Sequence, residues 1–290
     1  MKKLYGSIEA GGTKFVCAIG DESNKIIESA KFSTTNPKET IAKCGEFFRS
    51  YPVLAIGIGS FGPIDINKNS STFGFITSTP KPGWANFDFL GELKKYVSVP
   101  VFWTTDVNSS AYGEINLGAA KGKNSVVYFT IGTGIGGSAI ANGGFVGTFS
   151  HLEMGHAFVK KHHLDADFEG VCPYHKCCLE GLASGPSIKA RTGAPGEDLP
   201  RDHKVFDIIS YYAGQVAYNT FLNFSPECII FGGSVLGADD MKKVRVYFEK
   251  FNAGYVSAPN LEELIQSPAI QNNGSATIGN FLLAKSLTEK

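Results

Sequence analysis

The sequence predicts an α/β fold built from two related halves. Short apolar runs alternate with helix-like segments, a pattern that favours packed α/β layers over a sandwich or a helix bundle. The segments YGSIEAGGTKFVCAIG and VYFTIGTGIGGSAIANG each read as a strand, a glycine turn with threonine and a second strand. The opening pattern therefore restarts in mid-chain. A length of 290 residues also suits two domains.

The first half begins with a predicted hairpin around Gly11 and Gly12, where glycines end one apolar strand and the next returns. The continuous apolar run at 53–59 is typical of a strand buried on both faces. An aromatic, proline-rich loop is expected at 77–89. The predicted elements are strands at 4–9, 14–19, 24–32, 53–59 and 99–104 and helices at 37–50, 89–96 and 107–117.

The second half repeats the strand–glycine junction at 126–134 and again at 228–233. Helices are predicted at about 205–224 and 239–252, and a last helix follows the turn-rich QNNGS at about 276–286. We expect one domain at 1–115 and a larger one at 116–290 that carries a His- and Cys-rich loop at 151–180. The last helix, extended to 288, is a candidate for packing back on the first domain.

Composition narrows the possible partners. Lys plus Arg and Asp plus Glu number 27 each, so no net field steers the chain towards nucleic acid or an anionic membrane. We expect no membrane span, because the longest apolar runs are too short, and no secretory signal. Cys17, Cys44 and Cys228 are scattered through regular segments, which suits reduced thiols in a cytoplasm.

The loop at 151–180 contains a candidate zinc site. Cys172, His175 and Cys178 are spaced three residues apart, and His156 lies sixteen residues before the first of them. Zinc prefers four such sulfur and nitrogen ligands in a tetrahedron. Cys178 is chosen over Cys177 on spacing. The alternative is a chance cluster in which the cysteines are simply buried residues.

Other residues of this loop have separate predicted roles. The carboxylates Glu153 and Glu180 flank the metal ligands, so a bound zinc would fix them in place. His151, His162 and His163 are interpreted as solvent-facing or capping residues.

The two glycine turns are candidate phosphate-binding sites. Glycine lets backbone N–H groups approach anionic oxygens, and threonine adds a hydroxyl donor. Neither turn matches the Walker pattern, and glycine turns are often only turns. The residues concerned are Gly11, Gly12, Thr13, Lys14, Gly132, Thr133 and Gly134.

Asp106 is the best candidate for a general base. It stands at the carboxyl end of a predicted strand, where α/β sheets present ligand-binding residues. A carboxylate there can accept a proton from a sugar hydroxyl that attacks a γ-phosphate. Asp is equally suited to cap a helix, so this position alone leaves both roles open.

Five motifs in this order resemble the ROK family of sugar kinases, and most closely its bacterial zinc-containing fructokinases. The resemblance runs from about residue 5 to residue 284. The motifs are EAGGTK at 9–14, TDVNSSAYGE at 105–114, TIGTGIGG at 130–137, EMGH at 153–156 and CPYHKCCLE at 172–180.

This resemblance implies a two-domain, actin-like ATPase (ribonuclease H-like) fold, with a cleft between the domains. The implied reaction is ATP-dependent, Mg²⁺-requiring phosphorylation of D-fructose to fructose 6-phosphate, with Asp106 as base and structural Zn²⁺. Relatives are often dimers, so a homodimer is expected. The implied sugar contacts are Gly62, Pro63, Asn86, Asp106, Glu153, His156 and Glu180. The implied adenosine contacts are Pro186, Gly232, Gly233, Ser234, Val235 and Leu236.

Three alternative functions were compared with the sequence features that each requires. A broader hexokinase acting on mannose or glucose is compatible with the same motifs. ROK relatives that repress transcription need an N-terminal helix-turn-helix, for which the residues before Glu9 are too few. A non-catalytic assembly protein would have no use for Asp106.

Overall fold

The computed structural model describes residues 2–272 and 274–289, which divide into two compact units. Unit 1 comprises the chain up to Asn116, Val146–His151 and the chain from Ile270 onward. Unit 2 comprises Leu117–Phe145 and Leu152–Ala269.

The predicted strands and helices are confirmed, with ends shifted by a few residues. The helix predicted at 89–96 is shorter than expected, and several short elements were not predicted. The strands are β1 (Leu4–Ala10), β2 (Lys14–Asp21), β3 (Ile26–Ser33), β4 (Val53–Ser60), β5 (Phe75–Ile76), β6 (Phe87–Asp88), β7 (Val101–Thr105), β8 (Ser125–Ile131), β9 (Ile135–Ala141), β10 (Gly144–Phe145), β11 (Ile229–Gly232) and β12 (Ile265–Gln266). The α-helices are α1 (Pro37–Arg49), α2 (Phe89–Leu93), α3 (Asp106–Leu117), α4 (Leu179–Ala183), α5 (Gly185–Thr192), α6 (Lys204–Phe224), α7 (Asp240–Asn252), α8 (Leu261–Leu264) and α9 (Ser275–Ser286).

Unit 1 is built on a five-stranded sheet in the order β3-β2-β1-β4-β7. The first three strands are antiparallel, whereas β4 and β7 run parallel to β1. The apolar run predicted at 53–59 is the buried strand β4, next to β1. Because β4 and β7 are parallel, their carboxyl ends meet at one edge of the sheet, and α3 starts at that edge.

Helix α9 packs on β1 and β4, where a buried amide joins three elements of unit 1. Asn280 donates through Nδ2 to Ser7 Oγ at 3.1 Å and to the Ile8 carbonyl at 3.0 Å. Its Oδ1 accepts from Ser109 Oγ of α3 at 2.6 Å. Since all these groups are buried, each needs its partner, and the network fixes α3 relative to the sheet.

Unit 2 repeats this arrangement in a sheet of order β10-β9-β8-β11-β12. Strands β8 and β9 form an antiparallel hairpin, and β11 then lies parallel to β8, as β4 lies parallel to β1. The internal repeat predicted from the two glycine turns is therefore confirmed.

A buried ion pair anchors the His- and Cys-rich loop of unit 2 to the helices beneath it. The Arg191 guanidinium donates to both oxygens of Asp165, at 2.9 and 2.6 Å, and Tyr212 donates its hydroxyl to the same carboxylate at 2.7 Å. Arg191 also donates to the Leu182 carbonyl at 2.7 Å. The carboxylate thus has three donors, and the loop is held against α4, α5 and α6.

We expect Asp165→Asn to lower the free energy of unfolding by about 3 kcal/mol, since it leaves the Arg191 charge buried without its partner. Burial opposes ionisation of Asp165, but the hydrogen bonds from Arg191 and Tyr212 outweigh it and lower its pKa. The stabilisation by the ionised Asp165 carboxylate is therefore fully present above the ordinary pKa of Asp, about 4. It is lost as the pH falls through the lower pKa that Asp165 has in the folded protein. Urea unfolding from neutral to acidic pH measures both effects. The exposed neighbour Asp167 provides the control, because Asp167→Asn removes the same charge, and an equal loss there would contradict the assignment.

Among the described residues, no helix is long and apolar enough to cross a membrane. None of the six cysteines forms a disulfide bond, which agrees with the reduced thiols predicted for Cys17, Cys44 and Cys228.

Candidate functional site

Asp106 is the first residue of α3 and follows directly after β7. The capping role left open by the sequence is taken by its neighbour, since Thr105 Oγ1 accepts from the Asn108 amide at 3.1 Å. The half-buried Asp106 carboxylate accepts from the Val107 amide at 2.8 Å. A helix N-terminus favours negative charge, so the position suits a carboxylate.

Thr77 joins the predicted sugar contacts Pro63 and Asn86 of unit 1. Its amide and hydroxyl donate to the Pro63 carbonyl at 2.9 and 3.1 Å, and its carbonyl accepts from the Asn86 amide at 2.9 Å. The Gly62–Pro63 peptide is cis, and Asn86 has a left-handed φ of 56°. Turn 62–63 and Asn86 are therefore neighbours, although they are more than twenty residues apart in the chain.

The three histidines interpreted as solvent-facing or capping have different environments. For His151 the prediction is wrong, because its side chain is buried and Nε2 accepts from the Ile64 amide at 3.0 Å, beside Pro63. His162 caps the turn that follows it, accepting from the Leu164 amide at 3.2 Å. His163 is exposed.

The four predicted zinc ligands of unit 2 form one cluster, with their donor atoms all within 4.8 Å of one another. His156 Nδ1 lies 3.7 Å from Cys172 Sγ and 3.6 Å from Cys178 Sγ. His175 Nδ1 lies 3.8 Å from Cys172 Sγ. Ligands at the usual Zn–S and Zn–N lengths on a tetrahedron are about 3.5 Å apart, so the donor types and spacing fit zinc.

Tight turns shape this cluster. Cys172 and Lys176 exchange backbone hydrogen bonds of 3.0 and 3.3 Å across a turn in which Lys176 has a left-handed φ of 53°. A Cβ on Gly181 would lie 1.7 Å from the Lys176 carbonyl, so only glycine lets α4 approach the turn. Cys177 is half-buried and is not part of the cluster. Burial raises the pKa of the Cys178 thiol to about 11, and a bound cation reverses that effect by favouring the thiolate.

The carboxylates that flank the cluster lie near one another. Glu153 is accessible at the surface, yet surrounding protein atoms desolvate its carboxyl and raise its pKa. His156 opposes this rise and Glu180 adds to it, which places all three side chains within electrostatic range. Because His156 directs Nδ1 towards the cysteines, a metal there leaves its Nε2–H to donate to a second partner.

The glycine turn of unit 2 is held from several sides. The Gly132 carbonyl accepts from the Gly185 amide at 2.7 Å, and the Ile131 carbonyl accepts from the Val235 amide at 3.1 Å. The Ile135 amide donates to the Glu180 carboxylate at 2.9 Å. The turn is thus fixed by α4, α5 and the segment after β11.

The glycine turn of unit 1 is a hairpin loop closed by the Gly11 amide, which donates to the Lys14 carbonyl at 3.0 Å. Thr34 supports it by donating its hydroxyl to the Gly11 carbonyl at 2.7 Å. Gly12, Thr13 and Lys14 are exposed, and a Cβ on Gly12 would meet no atom within 4 Å. The turn therefore has room for a ligand beside it.

A cavity of about 490 Å³ opens beside the glycine turn of unit 2. This volume is typical of small-molecule sites. Five of the predicted nucleotide contacts line it, namely Gly132, Thr133, Pro186, Ser234 and Val235, whereas Gly134, Gly232, Gly233 and Leu236 do not.

Sequence reasoning missed Arg201 and Phe206 in the wall of this cavity. The Arg201 guanidinium lies 3.9 Å from the centre of the Phe206 ring, and it donates to the Val235 carbonyl at 3.1 Å and to the Asp240 carboxylate. Nothing in the sequence marks Arg201, because its partners are brought to it only by the folded chain.

Comparison with known proteins identifies the class. A model of the ROK family matches residues 5–287, and the chain belongs to that family. It is 51% identical to a fructokinase from Lactococcus lactis subsp. cremoris and 50% identical to one from Streptococcus mutans serotype c, in both cases over the full length of both chains.

A solved structure confirms the fold. A ROK family glucokinase from Streptomyces griseus, crystallised with glucose and AMPPNP, superposes with a TM-score of 0.78 at 22% identity. The alignment covers 99% of this chain and 100% of the other. The predicted actin-like ATPase fold is therefore confirmed.

Proposed function

We propose that this chain is a fructokinase that transfers the γ-phosphate of ATP to the 6-hydroxyl of D-fructose. Fructose is proposed as the substrate because the chain is similar over its full length, at 51% identity, to a protein named fructokinase. The chemistry is supported by a carboxylate at a strand end and by a glycine turn beside a cavity of nucleotide size.

Asp106 is the proposed general base. It accepts the proton of the sugar hydroxyl as that oxygen attacks the γ-phosphorus, so negative charge does not build up on the free hydroxyl. Pro63 and Asn86, both bonded to Thr77, are proposed to orient the sugar, together with Gly62. Glu153, His156 and Glu180 are proposed to bind sugar hydroxyls through two carboxylates and one ring N–H.

The glycine turns are proposed to bind the phosphates of ATP. The Gly11 and Gly132 amides close the two turns, which leaves the other backbone amides and the hydroxyls of Thr13 and Thr133 to donate to phosphate oxygens. Pro186 and the segment 232–236 are proposed to contact the adenosine. Mg²⁺ bound together with ATP would neutralise part of the phosphate charge.

Zinc is proposed as a structural ion held by His156, Cys172, His175 and Cys178. The attacking oxygen belongs to the sugar, so the reaction needs no open coordination position on the metal. The ion would fix the loop that carries Glu153 and Glu180. In this proposal His156 serves both partners, since Nδ1 binds the metal and Nε2–H donates to the sugar.

A coupled assay of ADP release tests the activity and its substrate range. We expect the purified chain to turn over with fructose and ATP, with a kcat/KM for fructose at least about tenfold above those for mannose and glucose. Equal values for the three sugars would favour the broader hexokinase, and no ADP release with any of them would exclude a sugar kinase.

The proposed enzyme is a cytoplasmic homodimer. This part of the proposal rests on the resemblance to ROK kinases, and light scattering during size-exclusion chromatography tests it. A mass of one chain, 31.1 kDa, would contradict it.

A further inference from the structure

Glu180 touches the glycine turn of unit 2 although it lies in the metal-binding loop. Its Oε2 accepts from the Ile135 amide at 2.9 Å, directly after the turn Gly132–Gly134. A Cβ added to Gly134 would lie 2.7 Å from the same oxygen. The absence of a side chain at Gly134 therefore makes room for the Glu180 carboxylate.

The structure shows a second hydrogen bond between this part of the chain and the short segment that begins with α4. It joins the Gly185 amide to the Gly132 carbonyl at 2.7 Å. Both come from residues close to Cys178, and Gly181 packs α4 tightly on the Lys176 carbonyl. The geometry of the turn is thus tied to the metal loop, and the Glu180 side chain makes one of the links.

Glu180 also lies close to Glu153, one of the proposed sugar contacts, because its negative charge adds to the burial that raises the pKa of the Glu153 carboxyl. A carboxylate has two oxygens, each with more than one acceptor position. One oxygen can therefore hold the turn while the other accepts from a sugar hydroxyl.

We propose that Glu180 is a positioning residue for the nucleotide, besides contacting the sugar: it holds the Ile135 amide, and the Gly132 amide is held by the Gly134 carbonyl, so that the amides of Thr133 and Gly134 point at phosphate. This inference rests on the proposed function, in which that turn binds phosphates. The role needs an oxygen that accepts from the Ile135 amide, and preorganised amides bind anions without first having to reorient.

Two substitutions of Glu180 separate its hydrogen-bond acceptor from its negative charge. Glu180→Ala removes the acceptor and frees the turn. Glu180→Gln keeps an oxygen that can accept from the Ile135 amide, while it removes the charge expected to bind the sugar. Glu153→Ala is the matched control, since it removes a carboxylate from the same proposed sugar site and leaves the bond between Glu180 and the Ile135 amide in place.

The test is calorimetric titration of the zinc-loaded chain with Mg-ADP in the absence of sugar, beside the KM for fructose. We expect Glu180→Ala to raise the Kd for ADP about tenfold, and Glu180→Gln and Glu153→Ala to stay within about twofold of the unchanged protein. Glu180→Gln should nonetheless raise the KM for fructose, because its amide cannot replace the charge.

A second variant tests the nucleotide site itself. Ser234→Trp fills the cavity and should abolish ADP binding. If it does so while Glu180→Ala binds ADP normally, the positioning role is refuted and the nucleotide site stands. If Ser234→Trp binds ADP normally, the assigned site is wrong and the inference falls with it.

Zinc content and melting temperature are measured for every variant. Should Glu180→Ala lose its metal, Gly134→Ala decides the matter, because its methyl group displaces the Glu180 oxygen while no residue of the metal-binding loop is replaced. Unchanged ADP affinity in Gly134→Ala would then overturn the proposal.

Discussion

Replacing Asp106 by Asn should lower kcat by at least a hundredfold, since general-base catalysis typically contributes about 10²–10⁴ in rate. The amide oxygen of Asn can still accept from the Val107 amide, so the local hydrogen bond is kept. Helix α3 keeps its own cap at Thr105. The protein should therefore stay folded and bind ATP as before, and only proton acceptance is lost. Steady-state kinetics with fructose and the melting temperature are measured together.

The matched control for this prediction is Asp88→Asn in the same unit. Asp88 is exposed, precedes α2 and accepts from the Gly91 amide at 2.7 Å, a bond that Asn can also make. The substitution removes the same charge from a helix N-terminus without a proposed catalytic role, so kcat should hardly change. An Asp106→Asn protein with the kcat of the unchanged protein would refute the base. A similar loss in both variants would point to a general effect of charge.

Local patterns predicted most of the fold, because the signals that define these elements lie within each segment. The segment 53–59 is continuously apolar, which by itself predicts a buried strand, and β4 is buried as expected. The two strand–glycine–strand segments predicted two hairpins, and both hairpins exist with parallel strands beside them. Cys172, His175 and Cys178 are close in the chain, so their spacing alone brought them near one point.

The sequence could not show contacts made by groups far apart in the chain. His151 was interpreted as solvent-facing or capping. It accepts a hydrogen bond from the amide of Ile64, which lies 87 residues away in the chain. The bond from Ile135 to Glu180 spans 45 residues. Such partners are not encoded in a local pattern, since any histidine or carboxylate near a free amide can make them. The fold must be known before they can be named.

The second large effect is expected at the metal cluster, where Cys178→Ser should abolish zinc binding and lower the melting temperature by about 10 °C or more. A structural zinc contributes on the order of 10 kcal/mol of apparent binding free energy, and a few kcal/mol already shift the melting temperature by that much. The neighbour provides a close control, because Cys177 lies outside the cluster. Cys177→Ser should keep about one zinc per chain and a nearly unchanged melting temperature.

A buried hydroxyl at position 178 could itself destabilise the protein, so the metal must also be removed from the unchanged chain. Chelation should lower its melting temperature by a similar amount and reduce affinity for fructose, because Glu153 and Glu180 are then no longer held in place. Chelation should have little further effect on Cys178→Ser, whose site is already lost. Metal analysis that finds no zinc in active protein would refute the structural ion. Equal losses in the Cys177 and Cys178 variants would show that the cluster is not the source of the stability.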